Sequence, residues 1–385
     1  MYTLKRVGNS LRAESSSTIA GSPTQSTTYF AINNDGTILA LGASDLTSVN
    51  IIDVSNHRTF IPHENVRSIA FHPLFPVLAT GNESGTVKLW RMLLTDIPEK
   101  QLITRDDTRV TIDVKFCINS VAFHPTEPFL ATGSNDGTTR VWSFTHDYNN
   151  LICQATLNHG DHDINDIVNV VAFHPTQRFL ASGCNGPNTS RLWKLAPDNS
   201  TEHKYTFLRD TAPIKSLAFH PTEPLLATGD THHQLKLWVF DYVAHDIRIS
   251  CVKTLNNHTN PVVSVSFHPT EPFLATGSWD RTAKVWKYSS NGHDVECVAT
   301  HEYTAATNNS VNSVAFYPVP ATPKEIILAI GRTGGNFETY KLTDVYSGGT
   351  SRRTRRRTPS RHRHRTHRRR SRKQQRSRGR SRGRR

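Results

Sequence analysis

Apolar and polar residues follow one pattern that recurs along most of the chain. An alternating segment ends at Phe, as in INSVAF (118–123), and HPTEP, the continuous apolar run FLATG, NDGT and TTRVW follow it. Alternation predicts strands buried on one face, and the continuous run predicts a strand buried on both. Proline cannot continue a sheet ladder, so HPTEP predicts a turn. A variable fourth segment with Cys-x-x-Thr completes a four-stranded unit, and its recurring Cys, at Cys153, Cys251 and Cys297, is expected to be a small buried strand residue.

The number of units follows from the Phe that ends the first strand of each. It recurs every 46 to 52 residues, at Phe71, Phe123, Phe173, Phe219, Phe267 and Phe316. A weaker copy at 30–51 keeps Asp45 and Thr47 at the turn, which gives seven units. Four strands at this period indicate a propeller blade. We therefore predict an all-β fold, a seven-bladed β-propeller of four-stranded blades over residues 1–345.

The seventh unit has no sequence for a fourth strand, because a basic tail follows it. The segment at residues 2–7 reads as an unattached strand. An open array would leave a sheet edge exposed. We therefore predict that residues 2–7 supply the missing strand and close the ring, and we expect the ring to be monomeric.

The repeats resemble the WD-repeat propellers over residues 1–345, and the sixth blade matches best. It has His258 before the inner strand, Thr276 on the second strand, Asp280 in the turn and Trp286 on the third. In that family such a quartet is a hydrogen-bonded relay that stiffens the blade, and the resemblance implies the same structural relay here. An indole N–H only donates, so a chain of acceptors beyond it is chemically sensible.

Other blades match the relay less well. Blade three keeps Thr132, Asp136 and Trp142 without an evident His, and blades two and five have Ser84 and His232 at the Asp position. These departures question the relay in those blades but not the fold. The phrase FHPTEPFLATGS also resembles repeats in WD-repeat proteins encoded by giant DNA viruses.

A turn in blade six carries a candidate protein-binding site. Trp279 lies there beside Asp280 and Arg281, and Trp and Arg are enriched in binding hot spots. The alternative is that Trp279 packs flat on a neighbour as part of the repeat. We predict that these turns form a rim that binds a still unidentified protein partner, with the residues Trp279, Arg281, Asn135, His232 and His233.

The tail, residues 346–385, is a second candidate site, and it differs sharply from the rest of the chain. The chain has a formal net charge of +14, yet residues 351–385 hold eighteen Arg and one Lys and no acid. Without them, 27 Lys and Arg stand against 32 Asp and Glu, so the remainder is mildly acidic. Residues 351–385 contain no aliphatic or aromatic side chain, so we predict a disordered segment.

Arginine forks match phosphate oxygens, so the tail predicts sequence-independent binding to DNA or RNA. Without aromatic residues it offers no base stacking. The predicted nucleic-acid-binding residues are Arg352, Arg353, Arg355, Arg356, Arg357, Arg361, Arg363, Arg365, Arg368, Arg369, Arg370, Arg372, Lys373, Arg376, Arg378, Arg380, Arg382, Arg384 and Arg385.

The tail also permits other interpretations. A basic run can be a nuclear localisation signal, and the protein would then be an adaptor, for example a substrate receptor in a larger complex. Such signals need only five to eight basic residues, so we favour nucleic-acid contact for at least part of the tail. Contact with an anionic membrane has no apolar anchor to support it.

The sequence predicts neither an enzyme nor a cofactor or metal site. It holds no catalytic motif, and one His per blade at His72, His124, His174, His220 and His268 is better explained as a turn residue than as a ligand set. The cluster HGDHD at 159–163 has no partner motif. Five Cys without a CxxC pair and no apolar leader lead us to expect a nuclear or cytoplasmic protein, within a virion if viral, and not a secreted one.

Overall fold

The computed structural model describes most of the chain outside its connections and termini. The described residues are 3–7, 10–14, 28–43, 47–53, 58–94, 102–104, 110–145, 150–159, 166–186, 189–195, 201–206, 212–243, 246–303, 310–317, 326–333 and 336–342. The chain divides into two units, Met1–Tyr346 and Ser347–Arg385, and every described strand lies in the first. The predicted tail lies outside the described residues.

Seven antiparallel sheets follow one another along the chain, each a blade of a β-propeller. An N-terminal hairpin of β1 (Thr3–Val7) and β2 (Ser10–Glu14) precedes them. Blade one consists of β3 (Thr28–Ile32), β4 (Ile38–Ala43), β5 (Ser48–Asp53) and β6 (Arg58–Pro62). Blade two consists of β7 (Val66–Phe71), β8 (Val77–Asn82), β9 (Thr86–Leu94), β10 (Leu102–Thr104) and β11 (Val110–Asp113).

The next four blades repeat the four-stranded order. Blade three consists of β12 (Ile118–Phe123), β13 (Phe129–Ser134), β14 (Thr138–Phe144) and β15 (Leu151–Asn158). Blade four consists of β16 (Val168–Phe173), β17 (Phe179–Cys184), β18 (Arg191–Leu195) and β19 (Thr201–Thr206). Blade five consists of β20 (Ile214–Phe219), β21 (Leu225–Asp230), β22 (Leu235–Val243) and β23 (Asp246–Leu255). Blade six consists of β24 (Val262–Phe267), β25 (Phe273–Ser278), β26 (Thr282–Tyr288) and β27 (Val295–Glu302).

The ring closes between its first and last blades. Blade seven has β28 (Val311–Phe316), β29 (Ile326–Arg332) and β30 (Asn336–Leu342). β28 lies beside β3, and one core cluster joins the two blades, with Phe30 packed edge-on against Phe337 at 5.2 Å between ring centroids. β2 lies beside β30 and pairs with β1. Closure by residues 2–7 themselves stays a prediction.

The core lies between blades because the second strand of each blade is buried on both faces, as its continuous apolar run predicts. Glycine in these strands reflects the close approach of the next blade. A Cβ on Gly81 would lie 2.5 Å from Cγ2 of Ile118, and one on Gly133 would lie 2.7 Å from Cγ1 of Val168. Neighbouring sheets therefore pack closer than any side chain at these positions would allow.

The outer strands differ from the sequence expectation in one respect. The recurring Cys of the fourth strand was expected to be small and buried, but Cys153 and Cys251 are exposed and Cys297 is half-buried. The expectation was wrong because a fourth strand is the outermost of its blade. Most of its residues are exposed, as in β15, where Ile152, Cys153 and Gln154 are exposed in succession.

Candidate protein-binding face

The two ends of the ring carry different turns, and this places the candidate residues. Each inner strand begins at the end where the turn between the second and third strands lies, since Ile118 is opposite Ser134. We call this end the upper face. The HPTEP turns lie at the opposite end, the lower face. The predicted rim residues all belong to the upper face.

The four residues of the blade-six relay form one hydrogen-bonded chain. Trp286 Nε1 donates to Thr276 Oγ1 at 2.9 Å, and Thr276 Oγ1 lies 2.8 Å from Nε2 of His258. Nδ1 of His258 lies 2.7 Å from Oδ2 of Asp280. A carboxylate only accepts, so Nδ1 donates and Nε2 accepts from the threonine hydroxyl. The chain runs from a buried third strand to the upper-face turn.

Asp280 ends this chain as an anion. Burial alone would raise its pKa, but the hydrogen bonds from His258 and from the neighbouring threonines outweigh burial and hold the pKa well below its usual value. The same carboxylate accepts the backbone N–H of Thr259 at 3.0 Å. Asp280 therefore ties the turn that carries Trp279 to the segment before the inner strand.

Two other blades contain a histidine that the sequence patterns did not assign to a relay. In blade two, His63 Nδ1 lies 2.6 Å from Thr80 Oγ1, which accepts from Trp90 Nε1 at 2.8 Å. In blade four, His159 packs edge-on against Trp193 at 5.2 Å. Neither histidine could be predicted from a fixed offset, because the number of residues between the His and the inner strand that follows it differs from blade to blade.

The relay stops short in blades three and five. Trp142 donates to Thr132 Oγ1 at 3.1 Å, but Asp136 pairs with Arg140 at 2.7 Å instead of with a histidine. In blade five Trp238 donates to Thr228 at 2.9 Å. The sequence departures in these blades thus correspond to shorter hydrogen-bond chains in an unchanged fold.

The rim residues lie in equivalent upper-face turns of blades three, five and six. The side chains of Trp279, Asn135 and His232 are exposed, Trp279 to 47%. Arg281 and His233 are half-buried and have left-handed backbones, with φ of 69° and 67°. These two occupy the position at which blades two and three have glycine, and non-glycine residues pay for this conformation in strain.

A central cavity of about 420 Å³ opens at the upper face, and Trp279 lies on its border. Residues of the inner strands line it, including Arg67, Asn119, Asn169 and Lys215. Asn119 Nδ2 donates to Oδ1 of the rim residue Asn135 at 2.6 Å. The rim and the cavity therefore form one continuous surface.

Comparison with known sequences identifies the repeats. The family model described as "WD domain, G-beta repeat" matches residues 55–91, 111–143, 152–194, 201–239 and 249–287. The chain belongs to the WD-repeat β-propeller family. The five matches correspond to blades two to six, and the structure adds blades one and seven, whose turns and third strands depart most from the repeat.

Several proteins share part of the WD-repeat region. The chain is 32% identical over 81 residues to the ribosome biogenesis protein BOP1 of Mus musculus, which covers 20% of this chain and 11% of that protein. It is 29% identical over 117 residues to the nuclear distribution protein nudF of Aspergillus niger, 30% of this chain and 24% of that one. The nuclear distribution protein PAC1 of Komagataella phaffii is 34% identical over 96 residues, 24% and 19% of the two chains. The chain thus spans between about a tenth and a quarter of these curated relatives.

The lower-face histidines of this WD-repeat ring have structural contacts. In all five, Nδ1 accepts backbone N–H groups two and three residues further on, as in His124, which accepts from Thr126 at 3.3 Å and Glu127 at 3.0 Å. Burial lowers the pKa of each, to about 4 for His72, His174 and His220. Each histidine therefore remains neutral and fastens its own turn.

The remaining sequence features add no site within the described residues. No three His, Cys, Asp or Glu side chains are placed there to share a metal ion. Of the HGDHD cluster, only His159 is described, and its Nε2 lies 3.0 Å from Thr139 Oγ1. None of the helices among these residues is long and apolar enough to cross a membrane.

Proposed function

We propose that this protein is a non-enzymatic scaffold that binds a protein partner on the upper face of its propeller and nucleic-acid phosphates on its tail. The observation that carries the first part is Trp279, a large aromatic side chain left 47% exposed beside a cavity. The other five Trp are buried, at 1% to 7% exposure. An exposed aromatic side chain beside a pocket is a typical anchor for a protein interface.

The strained turns support the same surface. Arg281 and His233 keep left-handed backbones at which glycine would be free of strain. Strain of this kind is concentrated at binding and catalytic sites. The rim thus combines an exposed aromatic residue, an arginine and two strained turns on one face of a rigid ring.

The second part of the proposal rests on the sequence of the tail. Nineteen cations in 35 residues exceed what an import signal needs, and they suit the displacement of counterions from a phosphate backbone. The proposed binding is independent of base sequence, and both DNA and RNA are ligands for the tail. A relative named for ribosome biogenesis is consistent with an RNA-containing setting, in the nucleus or the cytoplasm.

A cell-free assembly experiment tests this function. The full chain and a chain ending at residue 349 are incubated with nucleic acid on beads together with a partner captured by the upper face. A scaffold brings the partner to the beads only when the tail is present. If the tail is only a localisation signal, the full chain and the truncated chain leave the same amount of partner on the beads, and truncation has an effect only inside a cell. Equal amounts on the beads would therefore refute the scaffold.

The protein-binding part needs its own variant. Trp279→Ala removes the proposed anchor from the upper face, and Tyr340→Ala removes another exposed aromatic ring, on the third strand of blade seven, as a matched control. We expect partner capture to fall at least tenfold for the first variant and to be unchanged for the second. Equal capture by both variants would place the interface elsewhere.

A further inference from the structure

Six inner strands share an irregularity at the upper face. In blades two to seven the register shifts at the second residue of the strand, so that this residue has no opposite partner. The six bulged residues are Arg67, Asn119, Asn169, Lys215, Val263 and Asn312, and all of them line the central cavity. A bulge re-aims a side chain, so the ring directs one residue per blade into a shared space.

The charge of this space is positive. Arg67 and Lys215 are the two titratable cations among the lining residues, and the lining contains no carboxylate. Burial lowers the pKa of Lys215, and the positive charge of Arg67 lowers it further. The two cations therefore act on each other across the cavity.

The protein compensates the charge of Arg67 but not that of Lys215. Lys215 Nζ donates to the amide oxygens of Asn169 at 3.2 Å and Asn185 at 3.1 Å, and both acceptors are neutral. An ammonium has three N–H donors, so one remains. Arg67 pairs with Glu83 through Nε at 2.9 Å and Nη2 at 2.7 Å. With Glu83 counted, the site keeps one uncompensated positive charge.

We infer that the central cavity binds a side-chain carboxylate of the partner, so that the upper face selects an acidic peptide. A single carboxylate balances the one uncompensated charge, and one of its oxygens can accept the N–H that Lys215 Nζ has left. The cavity volume suits one or two side chains and not a folded domain. Trp279 borders the cavity and provides an apolar surface for the residue next to the acid.

This inference rests on the proposed function of the upper face, and a display experiment separates the two. A library of random 12-residue peptides is selected on the full chain. The best acidic peptide is then synthesised together with a copy in which Glu or Asp is replaced by Gln or Asn. Binding is measured to the wild type, to Lys215→Met and to Lys287→Met, which removes an exposed lysine on the third strand of blade six.

We expect selected peptides to be enriched in Asp and Glu. We also expect about tenfold weaker binding for the neutral peptide on the wild type and for the acidic peptide on Lys215→Met, with no change on Lys287→Met. The neutral peptide keeps the test valid even if Lys215→Met folds poorly. The tail is present in every variant, so its attraction for acidic peptides cancels between variants bound to the same peptide. The acidic and neutral peptides are therefore compared on the chain that ends at residue 349, which lacks the tail.

The opposing results are distinct. Acidic peptides that bind the wild type and Lys215→Met equally are held elsewhere, the tail included, and overturn the inference. Peptides that depend on Trp279 but contain no acid also overturn it while the proposed function stands. A phosphoserine peptide or an oligonucleotide that binds the cavity more than tenfold tighter than the carboxylate peptide would overturn the assignment to a carboxylate. If no peptide depends on Trp279 or Lys215, both the inference and the protein-binding function fail.

Discussion

The imidazole of His124 packs edge-on against the phenyl ring of Phe173 in the next blade, with the ring centroids 5.0 Å apart. The same pair recurs at four other blade boundaries, between 4.9 and 5.1 Å, as His72 with Phe123, His174 with Phe219, His220 with Phe267 and His268 with Phe316. Because Nδ1 of each histidine also fastens its own turn, one side chain joins local structure to the contact between blades. This explains the Phe-His-Pro triplet of the repeat.

His124→Ala tests this double role. The variant leaves two backbone N–H groups without their acceptor and removes an aromatic contact, so we expect it to lower the free energy of unfolding by about 2–4 kcal/mol. His232→Ala, at an exposed upper-face position, is the control and is expected to change it by less than about 0.5 kcal/mol. Urea denaturation measures both. Equal effects would show that the lower-face histidine is replaceable.

The pH dependence of stability follows from the same five histidines. Burial lowers the pKa of all five, to about 4 for three of them, against 6.5 for the ordinary side chain. Between these values the unfolded chain binds more protons than the folded one, so acid favours unfolding. The contribution of the five histidines to the free energy of unfolding is therefore fully present above about pH 6.5. It falls as the pH drops towards 4, by up to ~1.4 kcal/mol per pH unit for each histidine. Unfolding measured from pH 7 to pH 4.5 with no loss of stability would contradict this.

The relay predicts a difference between two aspartates at equivalent turns. Asp280→Asn removes the anion that His258 and the backbone of Thr259 contact, and we expect a loss of about 1–2 kcal/mol in the free energy of unfolding. Asp136→Asn removes the charge that pairs with Arg140 but keeps an oxygen for the N–H and hydroxyl of Thr138, and it is expected to cost less than about 1 kcal/mol. If the two variants lose the same stability, the histidine adds nothing to the relay.

Replacing a strained rim residue by glycine is predicted to raise the stability of the ring and to weaken partner binding. Arg281 has φ of 69°, and glycine takes this conformation without strain, so Arg281→Gly should raise the free energy of unfolding by up to about 1 kcal/mol. The same variant should weaken partner capture, because the arginine is part of the rim. His233→Gly is the matched variant in the neighbouring blade. A destabilised Arg281→Gly would mean that the arginine is held by contacts and not kept for binding.

How far the sequence predicts this molecule depends on whether a feature has a fixed spacing. The seven blades, the buried FLATG strand and the relay of His258, Thr276, Asp280 and Trp286 all follow from residues at constant offsets. His63 and His159 were not predicted beside the Trp of their blades, because the connection before the inner strand varies in length. The bulges were not predicted for a different reason. The alternating pattern through Lys215 is that of a regular strand, and a register shift does not change the composition of the segment.

Exposure was also harder to predict than topology. A small apolar residue such as Cys153 reads as buried wherever it recurs, but the outermost strand of a blade has a neighbour on one side only. The central cavity likewise depends on residues from all seven blades, which no single repeat displays. Side-chain exposure and the lining of the cavity depend on how the blades are arranged in the ring and not on the local sequence pattern.

The central claim is a division of labour between the ring and the tail, and one measurement tests it most directly. Binding of the full chain and of residues 1–349 to duplex DNA and to RNA is measured across a salt series, after equal melting temperatures have shown that both rings are folded. We predict that only the full chain binds, with the logarithm of its affinity falling linearly with the logarithm of salt, by about 0.9 per phosphate contacted on DNA. Equal binding by both chains would show that the ring itself contacts nucleic acid, and absence of binding by the full chain at physiological salt would refute the nucleic-acid role of the tail.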